Sequence, residues 1–177
     1  MSNPVEAASR SRVEFFKRRA DKGDAEAQYS LGLELHHQAD FPGALKWYRL
    51  AADKNHIRAR NYLGLLCQTG TEVPQDFEAA AAHFVAAAEA GIREAQHNLG
   101  ILFLAGKGVH RDPAQALHWL RLAADQVYRP SFAALGELYA GCEELRNPEE
   151  SARWFKQAYL AWRANPPASG NYEEQIN

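Results

Sequence analysis

Seven histidines and two cysteines are the residues of this chain best suited to metal or nucleophilic chemistry. Their spacing does not assemble a site. His36 and His37 are adjacent, so on a helix they point about 100° apart and cannot both face one ion comfortably. No His-Glu-x-x-His and no Cys-x-x-Cys occurs, the spacings by which a helix face or a tight loop grips zinc. Cys67 and Cys142 stand far apart and read as free thiols in a reducing cytoplasm. Gly106-Lys107-Gly108 superficially resembles a phosphate loop, but such a loop needs a strand before it and Ser or Thr after the lysine. No Gly-x-Ser-x-Gly elbow is present either. The sequence predicts no catalytic residues, no metal and no cofactor: this is not an enzyme.

Composition narrows the partners. The 20 basic and 22 acidic side chains leave a net charge of -2, and no basic stripe exists to release counterions from phosphates, so nucleic acid is excluded. No run of about 18 apolar residues occurs, and Met1 to Arg12 is too polar for a signal peptide, so no membrane is expected. With 177 residues, 46% hydrophobic and 24% charged, the chain matches one globular domain.

What would position any functional residue is a repeat. Leu31-Gly32, Leu63-Gly64, Leu99-Gly100 and Leu135-Gly136 recur at spacings of 32, 36 and 36. Trp47-Tyr48, His83-Phe84, Trp119-Leu120 and Trp154-Phe155 form a second series, and Ala51-Ala52, Ala87-Ala88 and Ala123-Ala124 a third in the same register. Each unit reads as two helices. Ala95, Leu99, Leu102 and Phe103 make one apolar face, and Ala116, Trp119, Leu120 and Ala123 another. Between them the glycines of Gly106-Lys107-Gly108 stop the first helix, and Asp112-Pro113 starts the second as cap and first helical residue. Asp76 and Asn147-Pro148 occupy equivalent places. A glycine inside a helix is unfavourable by roughly 1 kcal/mol, so four in register need a reason. Close backbone approach is the simplest, with the Ala pairs opposite and Trp47, Phe84, Trp119 and Trp154 filling the wedge between units. His83, standing where the others have Trp, reads as a partly buried packing residue, and His110 and His118 as surface positions.

The stretch from Gly91 to Gly100, then Gly106-Lys107-Gly108-Val109 and Asp112, then Ala116 to Ala124, resembles a complete Sel-one-like repeat, a relative of the tetratricopeptide repeat. The resemblance covers roughly residues 15 to 160. It implies an all-α, right-handed α-solenoid of about four helix-turn-helix repeats, preceded by a half-repeat around Phe15-Phe16. The first unit has a shorter connection, Gly32 to Asp40, similar to the tetratricopeptide pattern. In the last unit Cys142 replaces the glycine matching Gly106, leaving that loop's conformation open. The expected organisation is an N-terminal segment over 1–11, a solenoid over 12–164 and a disordered polar tail over 165–177.

The family also implies a cytoplasmic adaptor or scaffold that binds a protein or peptide in a concave groove lined by first helices. A dedicated inhibitor, immunity protein or chaperone of one effector is the alternative, and a cryptic enzyme or small-molecule binder a remote one. A monomer is expected, with weak homo-oligomerisation as the alternative. Projected onto that groove, the repeat produces ladders of equivalent positions. They are Tyr29, Asn61, His97 and Ala133; Leu33, Leu65, Ile101 and Glu137; His36, Gln68, Leu104 and Ala140; and Glu26, Arg58, Glu94 and Pro130. Such a mixed surface suits an extended peptide or a helix. Tyr29, Leu65 and Ile101 are the expected anchors, with Arg58, Asn61 and His97 setting register. Arg58 and Asn61 alone do not make the carboxylate clamp of some tetratricopeptide domains.

Overall fold

The acids that precede the second helices do what their spacing promises. The side chains of Asp40, Asp76 and Asp112 accept hydrogen bonds from the backbone N–H of Gly43, Ala79 and Gln115 at 3.0, 2.9 and 3.0 Å. Asn147 accepts from Glu149 and Glu150, both at 3.1 Å. Each cap satisfies an orphan donor and contributes about 1 kcal/mol. The computed structural model describes residues 4–164, and among them the chain forms nine α-helices and no strand. They are α1 (Pro4–Ala20), α2 (Ala25–His37), α3 (Phe41–Asp53), α4 (Ile57–Thr69) and α5 (Phe77–Glu89). After them come α6 (Arg93–Ala105), α7 (Pro113–Asp125), α8 (Arg129–Gly141) and α9 (Pro148–Ala164). Helix α1 begins at Pro4, ahead of the expected boundary at residue 12; the expected tail, 165–177, lies outside the described residues.

Four units follow α1, each a pair of helices: α2 with α3, α4 with α5, α6 with α7 and α8 with α9. Contact within a pair is the most extensive in the molecule, and each pair leans on the next, as in an α-solenoid. One turn geometry joins unit to unit. Gly23, Asn55, Gly91 and Val127 occupy the same position and all have positive φ, at 87°, 60°, 87° and 58°. The amide after each returns to a carbonyl of the preceding helix: Asp24 to Arg19, His56 to Ala51, Ile92 to Ala87, Tyr128 to Ala123. Glycine or asparagine suits this left-handed site; a β-branched residue does not. Val127 is therefore strained there, and it is 66% exposed, so packing returns little.

The glycine series has a different partner from the expected one. A Cβ on Gly32 would stand 2.5 Å from the Tyr48 ring, one on Gly64 2.7 Å from Phe84, one on Gly100 2.8 Å from Leu120 and one on Gly136 2.8 Å from Phe155. The glycines seat a large side chain of the second helix, not the Ala pairs. Tyr48, Phe84 and Leu120 are fully buried as a result. The expected wedge series divides accordingly. Trp47 packs on the core between α1 and α2 and Trp119 on that between α5 and α6, whereas Phe84 sits on its own unit's glycine. The bridging position of that unit holds His83, half-buried as expected, while His110 and His118 are exposed.

Connections between paired helices vary. Gly70 and Gly106 end α4 and α6 in left-handed conformation, but α2 ends through Gln38 with Ala39 at φ 60°. In the last unit Cys142 is extended, and a short 3-10 turn, Glu143–Leu145, replaces the glycine turn. Arg111 holds this loop through Glu144 at 2.8 Å, and that hydrogen bond is the main reason the Glu144 carboxyl titrates at about 2.

Gly64→Ala should lower the denaturant midpoint by an amount equivalent to about 1–3 kcal/mol, since a Cβ must displace the buried Phe84 ring. Gly141→Ala, with nothing within 4 Å of its Cβ, should leave the midpoint unchanged or raised. Equal effects would show that the ring seat has no energetic role. Val127→Gly should raise stability by about 1 kcal/mol, measured by the same unfolding curves, because it relieves a left-handed backbone that valine resists.

Candidate functional site

First helices α2, α4, α6 and α8 carry the groove ladders, and the structure shows what their side chains already do. At the amino-terminal end, Glu26 of α2 accepts from Arg58 of α4 at 2.6 Å and lies 2.9 Å from His56 Nε2. The hydrogen bond with His56, more than that with Arg58, holds the Glu26 carboxyl below its ordinary value. Tyr29 stacks on the His56 ring at 4.8 Å, and the Arg58 guanidinium lies 5.2 Å from the tyrosine ring centroid. Tyr29 and Arg58 meet each other across the junction of units one and two.

The same device recurs two units later. His97 of α6 meets the Tyr128 ring edge-on at 5.3 Å, Arg93 lies 5.8 Å from that ring, and His97 Nδ1 is 3.0 Å from Ser131 Oγ. Burial lowers the pKa of His97 and so favours the neutral imidazole, which shares one hydrogen with that hydroxyl. Glu94 pairs with Arg93 at 3.0 Å. His56 and Tyr128 are the functional neighbours that the ladders overlooked. Both immediately precede a first helix, at equivalent positions, and that shared aromatic character was the available signal.

The middle junction lacks the device. There the ladder holds Asn61, and Ile92 stands where the neighbouring junctions place His56 and Tyr128. The side-chain oxygen of Asn61 is shielded from solvent and has no hydrogen-bond partner among the described residues. Beside this junction run the apolar rungs Leu33, Leu65 and Ile101, all half-buried, with Gln68 and Leu104 half-buried on the next ladder. Glu137 and Ala140 at the carboxyl-terminal end are exposed, as is Pro130, while Ala133 is half-buried.

His36 belongs to a second polar group. Its ring approaches Tyr62 Oη at 3.1 Å, Glu72 Oε1 at 3.5 Å and the Phe41 ring edge-on at 5.1 Å. Burial is the main cause that raises the phenol pKa of Tyr62 and Tyr48, so both stay neutral here. No set of three or more His, Cys, Asp or Glu side chains among the described residues could hold a metal ion. Cys67, half-buried, and Cys142, buried, are both free. No helix among the described residues is long and apolar enough to cross a membrane.

Stacked helix pairs with side-chain ladders on the first helices define a helical-repeat protein of the tetratricopeptide-like class. Within that class the chain belongs to the Sel1 repeat family, whose repeat matches residues 25–56, 57–92, 93–128 and 133–161. Helix α1 precedes the first of these, as the half-repeat expectation required. The chain is 34% identical over 146 residues to an uncharacterized Neisseria meningitidis protein, covering 82% of this chain and 30% of that one. It is 31% identical over 126 residues to chitin synthase regulatory factor 2 of Schizosaccharomyces pombe, covering 66% and 25%. The chain thus spans less than a third of the length of these relatives. Among solved structures, a protective antigen of uropathogenic Escherichia coli superposes with a TM-score of 0.76 at 32% identity, over 84% of this chain and 33% of the other. A Sel1 repeat protein of Oxalobacter formigenes superposes at 0.71 and 26% identity, over 84% and 63%.

The junction contacts predict a pH response. The folded state keeps His97 neutral, so the unfolded chain takes the proton first and the stabilisation, complete above the unfolded pKa near 6.5, is lost as pH falls through the lower folded value. Urea midpoints should fall between pH 7 and about pH 5, and His97→Gln should make that slope shallower. An unchanged slope would show that His97 protonation is not linked to folding.

Proposed function

We propose that the first-helix face is a protein-binding groove, and that this chain acts as a non-enzymatic adaptor or scaffold for a partner protein or peptide. The observation that carries this reading is the half-buried apolar strip of Leu33, Leu65, Ile101 and Leu104 along the first helices. An extended segment or a helix can rest its side chains on these apolar rungs. The flanking junctions support the same reading by contrast, because there the polar groups are consumed between units. Membership of a family whose repeats serve as protein-interaction modules agrees with it.

The anchors are accordingly Leu65 and Ile101, with Leu33 and Leu104 extending the apolar strip and Asn61 setting register. Tyr29, Arg58 and His97 hold the frame of the groove, and Glu26, Glu94, His36, Gln68 and Glu137 line its edges.

The test is calorimetry with a partner recovered by pull-down from the native cell. Leu65→Ala, Ile101→Ala and Asn61→Ala, each shown to fold, should weaken binding, at least one of them by more than about 1 kcal/mol. Wild-type affinity in all three would move the site off this face.

A further inference from the structure

A cleft of about 850 Å³ opens between α3 and α5, over α4, with the segment 73–76 as one wall. None of the groove residues lines it. Its origin is visible in the repeat. At the next junction the bridging position holds Trp119 and α6 contributes Phe103, and both pack onto the core between α5 and α6. One unit earlier, in the same register, stand His83 and Cys67, and both line the cleft. Trp and Phe are here replaced by the smaller His and Cys, which helps to open the cleft. Its floor is apolar, made by Leu63, Leu66 and Val73.

The mouth has a charge. Asp53 and Glu78 are exposed and form no side-chain hydrogen bond or ion pair among the described residues, while Asp76 is engaged in capping α5. Arg49 is the one basic side chain among the lining residues, with Arg60 near His83 and Lys107 over the Phe77 ring. Burial and the nearby Arg60 favour the neutral form of His83, so the imidazole does not offset the acids. The volume lies within the usual range for ligand sites, about 300–1,000 Å³, and leaves room for an indole or a branched aliphatic group on the apolar floor. The unpaired carboxylates of Asp53 and Glu78 select what may stand beside that group.

We propose that this cleft is a second binding site, which takes an aromatic or branched aliphatic side chain of a partner polypeptide with Lys or Arg next to it. The apolar group occupies the place of the missing Trp and Phe, and the cation faces Asp53 and Glu78. This site is independent of the first-helix groove, so either can fail without the other.

The probes are N-acetyl-Lys-Trp-Lys-amide and N-acetyl-Glu-Trp-Glu-amide, titrated into the whole chain while backbone amides are followed by NMR. The basic peptide should shift the amides of 49–53, 67 and 76–83, and the acidic one should bind about tenfold more weakly or not at all. Cys67→Phe with His83→Trp copies the next junction, so it should fold with an equal or higher melting temperature and lose the basic peptide. Should that pair fail to fold, Asp53→Asn with Glu78→Gln alters only exposed side chains and should weaken the basic peptide about threefold or more. Equal binding of both peptides, undiminished binding by the folded filled variant, no weakening in the acid-to-amide variant, or no shifts at about 10 mM would each overturn the proposal.

Discussion

A glycine in each first helix, facing a bulky side chain from the second, is the contact on which the repeat depends. The cost and the return differ in size. Glycine inside a helix loses roughly 1 kcal/mol against alanine. Complete burial of a Tyr, Phe or Leu side chain contributes about 1.5–3 kcal/mol. Tyr48, Phe84 and Leu120 are fully buried on Gly32, Gly64 and Gly100, so the exchange favours the pair. Phe155 on Gly136 remains partly exposed, because no further unit covers α9 within the described residues. Once the pair is set at a fixed angle and distance, the caps, the left-handed turns and the ladders fall into register along the chain.

The periodic part of this arrangement was legible in the sequence because each element of it leaves a mark at fixed spacing. Leu-Gly pairs, aromatic pairs and Asp caps located the helices and the four units. What the spacing did not disclose was which atom the glycine made room for, since a close backbone and a seated ring demand the same absent Cβ. The register of Trp against its neighbour decided this: the second member of each pair turns inward, the first bridges back to the preceding unit. Positive φ at Val127 was also invisible, because valine gives no hint of a left-handed site and only the equivalence to Gly23, Asn55 and Gly91 suggests it.

The groove was legible as positions and not as roles. Projecting ladders onto a surface assumes that every side chain there is free to meet a ligand. Tyr29, Arg58, Glu26 and His97 also make contacts to the adjoining unit, some of them to residues just before the first helices, outside any ladder. A junction in a solenoid must match polar groups as well as apolar ones, and residues doing so vary from unit to unit because they answer a local neighbour. Variation along a ladder is therefore not by itself a sign of ligand reading.

Besides Val127 and the Cys142 loop, several departures from the repeat gather at the junction of the first and second units and its neighbour. Here the connection after α2 is short, and Glu72 adopts a φ of 85° as its carboxylate approaches His36. Here too the Asn61 oxygen lacks a partner and Cys67 and His83 stand where large aromatics fill the next unit. Each departure costs stability through strain, an unpaired acceptor or an unfilled volume. Units three and four show that the same frame can be built with the bridging aromatics in place. Stability alone accounts for the regular units; the irregular junction is where binding a partner can return what the fold gives up.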